Sequence, residues 1–121
     1  MKAEANILLE THLKELGFEF VPEYRFLKER KWRVDYKVIT AHQDFFAVEI
    51  EGSVYANGRH TRGKGFEADC HKYNTLTTMR IPLLRFTTGQ VKRGEDIPYL
   101  QCFAPMEHLC VASDGIPALL V

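Results

Sequence analysis

The stretch FFAVEIEG, residues 45–52, reads as a β-strand. Aromatic and β-branched residues dominate it, and its pattern alternates. Successive strand side chains point to opposite faces. Phe46, Val48 and Ile50 therefore share a face that can bury, and Ala47, Glu49 and Glu51 share the other. The two carboxylates would stand roughly 7 Å apart by strand rise. Like charges that close are costly unless a cation sits between or beside them. The chemistry is expected at this pair.

Working outward, Thr40–Asp44 is a short polar turn and Trp32–Ile39 a preceding strand, so the two strands are expected to form an antiparallel hairpin. On the earlier strand Trp32, Val34, Tyr36 and Val38 face one way, and Arg33, Asp35 and Lys37 the other. An Asp inside a strand needs a partner. Arg33 or Lys37 could supply a salt bridge, and a metal is the other option. With the right register Asp35 approaches the Glu49/Glu51 face; a one-residue slip would remove it.

Downstream, GSVYANGRHTRGKG at 52–65 is a glycine-rich loop carrying Arg59, His60, Arg62 and Lys64 and no acid. That charge suits a phosphate chain. The spacing is not that of a Walker A loop. Phe66–Met79 is expected to be helical, with Phe66, Cys70, Tyr73 and Leu76 or Thr77 as its apolar stripe and Asp69 and Lys72 off it. His71 is expected to be exposed. Leu83–Thr87, after Pro82, is a further strand carrying Arg85. Strand, helix and strand make a β-α-β unit and imply a parallel pair.

Before the hairpin, Ala3–Leu16 has helical spacing at Ala5, Leu9, Leu13 and Leu16, with Gly17 as its stop. Glu4 and Glu10 are expected to be solvated charges on this helix. Phe18–Phe26 holds β-formers, and Pro22 marks an edge or an irregular entry. After Thr88 the pattern weakens. Tyr99–Phe103 and Met106–Val111 are short apolar pieces, and the apolar tail Ile116–Val121 could pack on the domain or on a second subunit, as in a homodimer.

The chain's 121 residues fit one domain, with a core at about 1–91 and a C-terminal extension at 92–121. With 16 basic and 16 acidic side chains, no global charge draws it to nucleic acid, so any attraction must be local. No apolar run reaches the roughly 20 residues of a bilayer span. MKAEANILLE lacks a secretory signal's apolar core. Cys70, Cys102 and Cys110 have no zinc-site spacing, and Cys102 and Cys110 are expected to be buried. A reduced, cytoplasmic protein is expected.

Asp35, Glu49, Glu51, Lys72 and the basic loop then form one constellation. Carboxylates without clustered His or Cys favour Mg²⁺ or Mn²⁺ over zinc. Such an ion polarises a phosphoryl oxygen and activates water. A lysine can orient that water or stabilise developing charge. The chemistry indicated is metal-dependent phosphodiester hydrolysis.

EYRFLKERKWRVDY at 23–36, FAVEIEGSVYANGRHTRGKGFEADCHKYN at 46–74 and LLRFT at 83–87 resemble the PD-(D/E)XK nuclease superfamily. The resemblance is to small phage and bacterial endonuclease-like domains near the VRR-NUC and very-short-patch-repair groups. It covers about residues 1–91, and the run Gly58–Asn74 is quite specific. It implies an α/β (α+β) fold of restriction-endonuclease-like type, a mixed central β-sheet flanked by helices. It also implies Mg²⁺-dependent cleavage of DNA, structure-specific and nicking modes both being open, in a bacterial or phage-infected host cell. Asp35 matches the motif's first acid and Glu49 its second, with the carbonyl of Ile50 as a third metal ligand. Glu51 occupies the position of the motif's lysine. Lys72 is the first candidate to replace that lysine, and Lys64 the second; failing both, Glu51 is an extra ligand. Arg59, His60, Arg62 and Lys64 are expected at the DNA, with His60 also where some relatives carry a catalytic histidine. Asn6, with Glu10 one turn along, matches the position of a first-helix acid. The alternative is a catalytically inactive nucleic-acid-binding module of the same fold.

Overall fold

A computed structural model describes residues 2–40, 43–52 and 63–104, with the backbone alone for Lys64. The order is α1 (Glu4–Glu15), β1 (Glu19–Tyr24), β2 (Val34–Ile39), β3 (Phe45–Glu51), α2 (Lys64–Thr78), β4 (Leu83–Thr87), α3 (Thr88–Lys92) and α4 (Ile97–Gln101). The strands form one mixed sheet in the order β1-β2-β3-β4. β1, β2 and β3 pair antiparallel, and β3 and β4 pair parallel. The hairpin and the β-α-β unit expected from the sequence are both present. No helix among the described residues is long and apolar enough to cross a membrane.

The alternation of β3 divides the core. Phe46 and Val48 join Tyr36, Val38 and Phe86 beneath Ala5, Leu9 and Leu13 of α1, with Val91 of α3 and Leu100 of α4 in the same cluster. Ala47 faces the other way, into a cluster with Leu76 of α2, Phe26, Val34 and Ile81. The sheet thus carries helices on both faces. β1 is an edge, as Pro22 requires, and Glu23 within it has a positive φ of 51°. That residue breaks the alternation: Phe20 packs edge-on to Tyr36 on the α1 face, whereas Tyr24 packs against Phe45 on the α2 face.

Several expectations are corrected. β2 starts at Val34, so Trp32 lies before it and stacks on Phe26 instead. α2 starts at Lys64, so the last two residues of the basic stretch are helical. Its expected stripe is half wrong: Leu76 is buried and Tyr73 partly so, but Phe66 and Cys70 are exposed. Cys102 is exposed rather than buried. Past residue 91, Leu100 is fully buried and Phe103 stacks on Phe46 at 4.3 Å. Cys110, Met106–Val111 and the tail at 116–121 lie outside the described residues.

Three helices end in one hydrogen-bond pattern. After α1 the N–H of Gly17 donates to Lys14 and that of Phe18 to Leu13. After α3 Gly94 and Glu95 repeat it on Val91 and Gln90. After α2 Arg80 donates to Thr77 and Ile81 to Leu76. This Schellman closure needs a left-handed residue at its turn, normally glycine. Gly17 and Gly94 meet that need at φ of 85° and 76°, while Arg80 adopts φ 60° against the Cβ clash that disfavours this region. Arg80→Gly is therefore expected to raise unfolding free energy by about 1 kcal/mol, read from chemical denaturation midpoints.

Candidate functional site

The site forms where β2 and β3 part. Their ladder runs from Ile39↔Phe45 to Tyr36↔Val48. One step further in the same register would set Asp35 against Glu49. Asp35 instead uses its side chain: Oδ2 accepts from the main-chain N–H of Ile50 at 2.7 Å. Neither expected salt bridge to Asp35 is seen. Arg33 pairs with Glu23 at 3.2 Å, and Lys37 lies over the rings of Tyr24 and Phe45 at 4.8 and 4.5 Å. The Lys37 ammonium is thus held by aromatic faces.

Glu49 is buried, and both its oxygens are engaged from α2. Lys72 Nζ donates to Oε1, and the Tyr73 hydroxyl donates to Oε2 at 2.7 Å. Adjacent helix residues reach one carboxylate because this turn of α2 lies over β3. Burial pushes the Tyr73 phenol well above its ordinary pKa, and Glu49 adds to the shift. The hydroxyl therefore stays protonated and donates at any working pH.

Glu51 takes a different cation. Arg85 of β4, opposite Glu49 in the parallel register, reaches along the strand to Glu51 at 2.8 Å and covers the Tyr73 ring at 4.4 Å. The like-charge problem of the strand is thus solved by one cation per carboxylate. Glu49 carries a lysine and a tyrosine, and Glu51 carries an arginine.

On the α1 face Glu10 is not a solvated charge. It accepts from Lys2 Nζ at 2.8 and 2.7 Å and from the Tyr36 hydroxyl at 2.7 Å. Burial alone would raise its pKa, but the hydrogen bonds from Lys2 and Tyr36 outweigh that and hold it below the ordinary value. Asn6 donates to the same hydroxyl at 3.1 Å. Burial and the Glu10 hydrogen bond keep the Tyr36 phenol well above its ordinary range. Asn6, Tyr36 and Asp35 line one recess of about 280 Å³ with Lys2. Of the two expected residues of the first helix, Asn6 lines the recess with Asp35, and Glu10 meets the Tyr36 hydroxyl. Glu4 is exposed and stands 3.7 Å from Lys92.

The structure thus ties Asp35 to the Ile50 main chain and Lys72 to Glu49, and pairs Glu51 with Arg85. Arg59, His60 and Arg62 lie outside the described residues, and Lys64 opens α2. His71 is exposed, as expected. Tyr73, Arg85 and Tyr36 were not among the expected site residues. The signal for Arg85 was a cation alternating within LLRFT beside a strand of two acids. The two tyrosines, read as apolar, gave none.

The donor set can be tested against the implied ion. Among the described residues no three His, Cys, Asp or Glu side chains gather as a metal cluster. Mg²⁺ does not require one, since it keeps several waters and is held through one or two carboxylates. Asp35 and Glu49 offer two, each oxygen having two acceptor positions. Their hard oxygen donors are of the kind such an ion takes. Comparison with known protein families, with curated proteins and with solved structures finds no match to this chain.

Proposed function

We propose that this chain is a divalent-metal-dependent DNA endonuclease of restriction-endonuclease-like architecture. The observation that carries the reading is Lys72 on Glu49, beside the Asp35–Ile50 hydrogen bond. Of the two acids at this strand divergence, Glu49 then meets a lysine supplied by the neighbouring helix, which answers the glutamate at position 51. The element order, a helix, three antiparallel strands, a helix and a parallel strand, supports the same architecture.

In this reading Asp35, Glu49 and the Ile50 carbonyl would hold Mg²⁺ or Mn²⁺. Bound there, the ion supplies Lewis-acid polarisation of a phosphoryl oxygen and a more acidic water. The chain's own residues do the rest. The Ile50 N–H fixes Asp35, and the Tyr73 hydroxyl fixes Glu49. Lys72 places a positive charge where negative charge develops during phosphodiester cleavage. Arg59, His60, Arg62 and Lys64 are the proposed DNA contacts, since their stretch carries no opposing acid. DNA is the proposed partner, with a homodimer as the proposed form acting on two strands.

The test is incubation of plasmid and branched DNA with Mg²⁺ or Mn²⁺, against Asp35→Ala and Glu49→Ala. Cleavage by the wild type and its loss in both variants is expected. Equal cleavage by all three sinks the assignment. One observation favours a second reading, a DNA-binding module without catalysis: Glu51, at the motif's lysine position, is already neutralised by Arg85. It predicts salt-sensitive DNA binding and no cleavage under any divalent metal.

A further inference from the structure

Beside the carboxylates lies a recess of about 490 Å³ that the proposed chemistry does not use. Tyr73, Leu76, Ile81 and Leu83 line it, with Arg80 and Arg85. Its described lining residues include no carboxylate. It shares a wall with the site, because the Tyr73 hydroxyl is on Glu49 and Arg85 is on Glu51. Its volume falls within the range of about 300–1,000 Å³ typical of small-molecule pockets.

Arg80 is the unusual element. It holds a left-handed turn that glycine fills at the ends of α1 and α3. Its side chain gives nothing back to the fold: Arg80 is exposed, and its guanidinium makes no hydrogen bond, ion pair or ring contact among the described residues. Backbone strain kept without a structural return points to a use for the side chain. Arg85 is pinned between Glu51 and the Tyr73 ring, yet its side chain stays 48% exposed. Two guanidiniums on an apolar, aromatic-walled recess match one chemical class: a nucleotide whose phosphate meets the arginines and whose base enters the apolar floor.

We infer that this recess is a subsite for one unpaired nucleotide of the DNA strand held at Asp35 and Glu49. The inference deepens the DNA reading and rests on it. A base can enter only if it has left its stack, so the subsite selects single-stranded, flapped or branched DNA over continuous duplex. Arg80 acts as a binding residue and takes no part in the reaction itself.

The experiment measures fluorescence anisotropy of a labelled single-stranded oligonucleotide and of its blunt duplex, in EDTA so that nothing is cleaved. Wild-type protein, Arg80→Gly and Arg80→Lys are compared over a salt series. Wild type is expected to prefer the single strand. Arg80→Gly is expected to weaken that binding by about threefold to tenfold and to lower the salt slope by about 0.7, the value of one lost phosphate contact. Arg80→Lys keeps the charge and is expected to fall between the two. Because Arg80→Gly relieves strain, lost binding cannot be put down to lost folding, and its denaturation midpoint checks this. Equal affinity and slope for wild type and Arg80→Gly overturns the subsite. Plasmid cleavage that Glu49→Ala abolishes alongside such equality leaves the nuclease reading standing. Arg80-dependent binding without cleavage under any divalent metal supports the subsite and removes the nuclease. No oligonucleotide binding by the wild type overturns both.

Discussion

Replacing Glu49 by glutamine is expected to lower Mg²⁺-dependent DNA cleavage by at least about 10³-fold, the scale lost when one organising group is taken from a preorganised site. Glutamine keeps the shape of the side chain and an oxygen for the Tyr73 hydroxyl. It loses the charge that binds Lys72 and that would bind the cation. Lys72, with 15% of its side chain exposed, would then be a largely buried ammonium without its anion. The stability cost is about 1–3 kcal/mol, so rates are compared at a temperature where circular dichroism shows the variant folded. Glu51→Gln is the matched control. Its charge serves Arg85 at the exposed rim, so cleavage is expected to fall by less than about tenfold. Initial rates on supercoiled plasmid read both. Equal losses for Glu49→Gln and Glu51→Gln would refute the division of labour between the two carboxylates.

That division marks how far the sequence could be read. The strand alternation at 45–51 separated Phe46 and Val48 from Ala47 and Glu49 correctly, although both faces bury, the first against α1 and the second on the α2 side. The helical spacing of Ala5, Leu9 and Leu13 likewise reappears as one buried stripe. What was not legible depended on where a regular element stops. Asp35 finds the Ile50 N–H only because the ladder with β3 ends at Tyr36, and a pairing limit leaves no mark in composition. Glu10 looked like a surface charge because its partners, Lys2 and Tyr36, are eight and twenty-six residues away. Tyr73 was counted as apolar, although a half-buried tyrosine brings a hydroxyl that must be satisfied. Arg80 carries no local signal for its turn, since the residue type argues against the conformation it adopts.

The second large effect lies on the opposite face. His12→Leu is expected to destabilise the fold by about 3–5 kcal/mol, the cost of removing one partner from a buried pair, as read from guanidinium denaturation. His12 Nδ1 stands 2.7 Å from Asp96 Oδ2. Asp96 is fully buried, and its Oδ1 has no hydrogen-bond partner among the described residues. His12 is thus the side chain that compensates this carboxylate, and leucine would leave it buried and unpaired. The pH dependence follows from the direction of the shift. Burial raises the Asp96 pKa above the ordinary carboxylate value, and the His12 hydrogen bond opposes the rise. The folded state therefore holds that proton more tightly than the unfolded state. Stability from this group is fully present below the ordinary carboxylate pKa and is lost as pH rises through the raised folded value. Without His12 the opposing interaction is gone, so His12→Leu should resemble wild type more closely near pH 4 than near pH 7. The double variant His12→Leu/Asp96→Leu, which removes the stranded charge, should recover a large part of the loss. A double variant no more stable than His12→Leu would show that the single substitution acts through packing rather than charge. The consequence reaches the site, because the pair ties α1 to the start of α4, and α1 carries Asn6 and Glu10 onto the Tyr36 hydroxyl beside Asp35. Loosening α1 removes the support beneath β2 at the point where it leaves β3, so cleavage by His12→Leu should fall at neutral pH and return with the double variant.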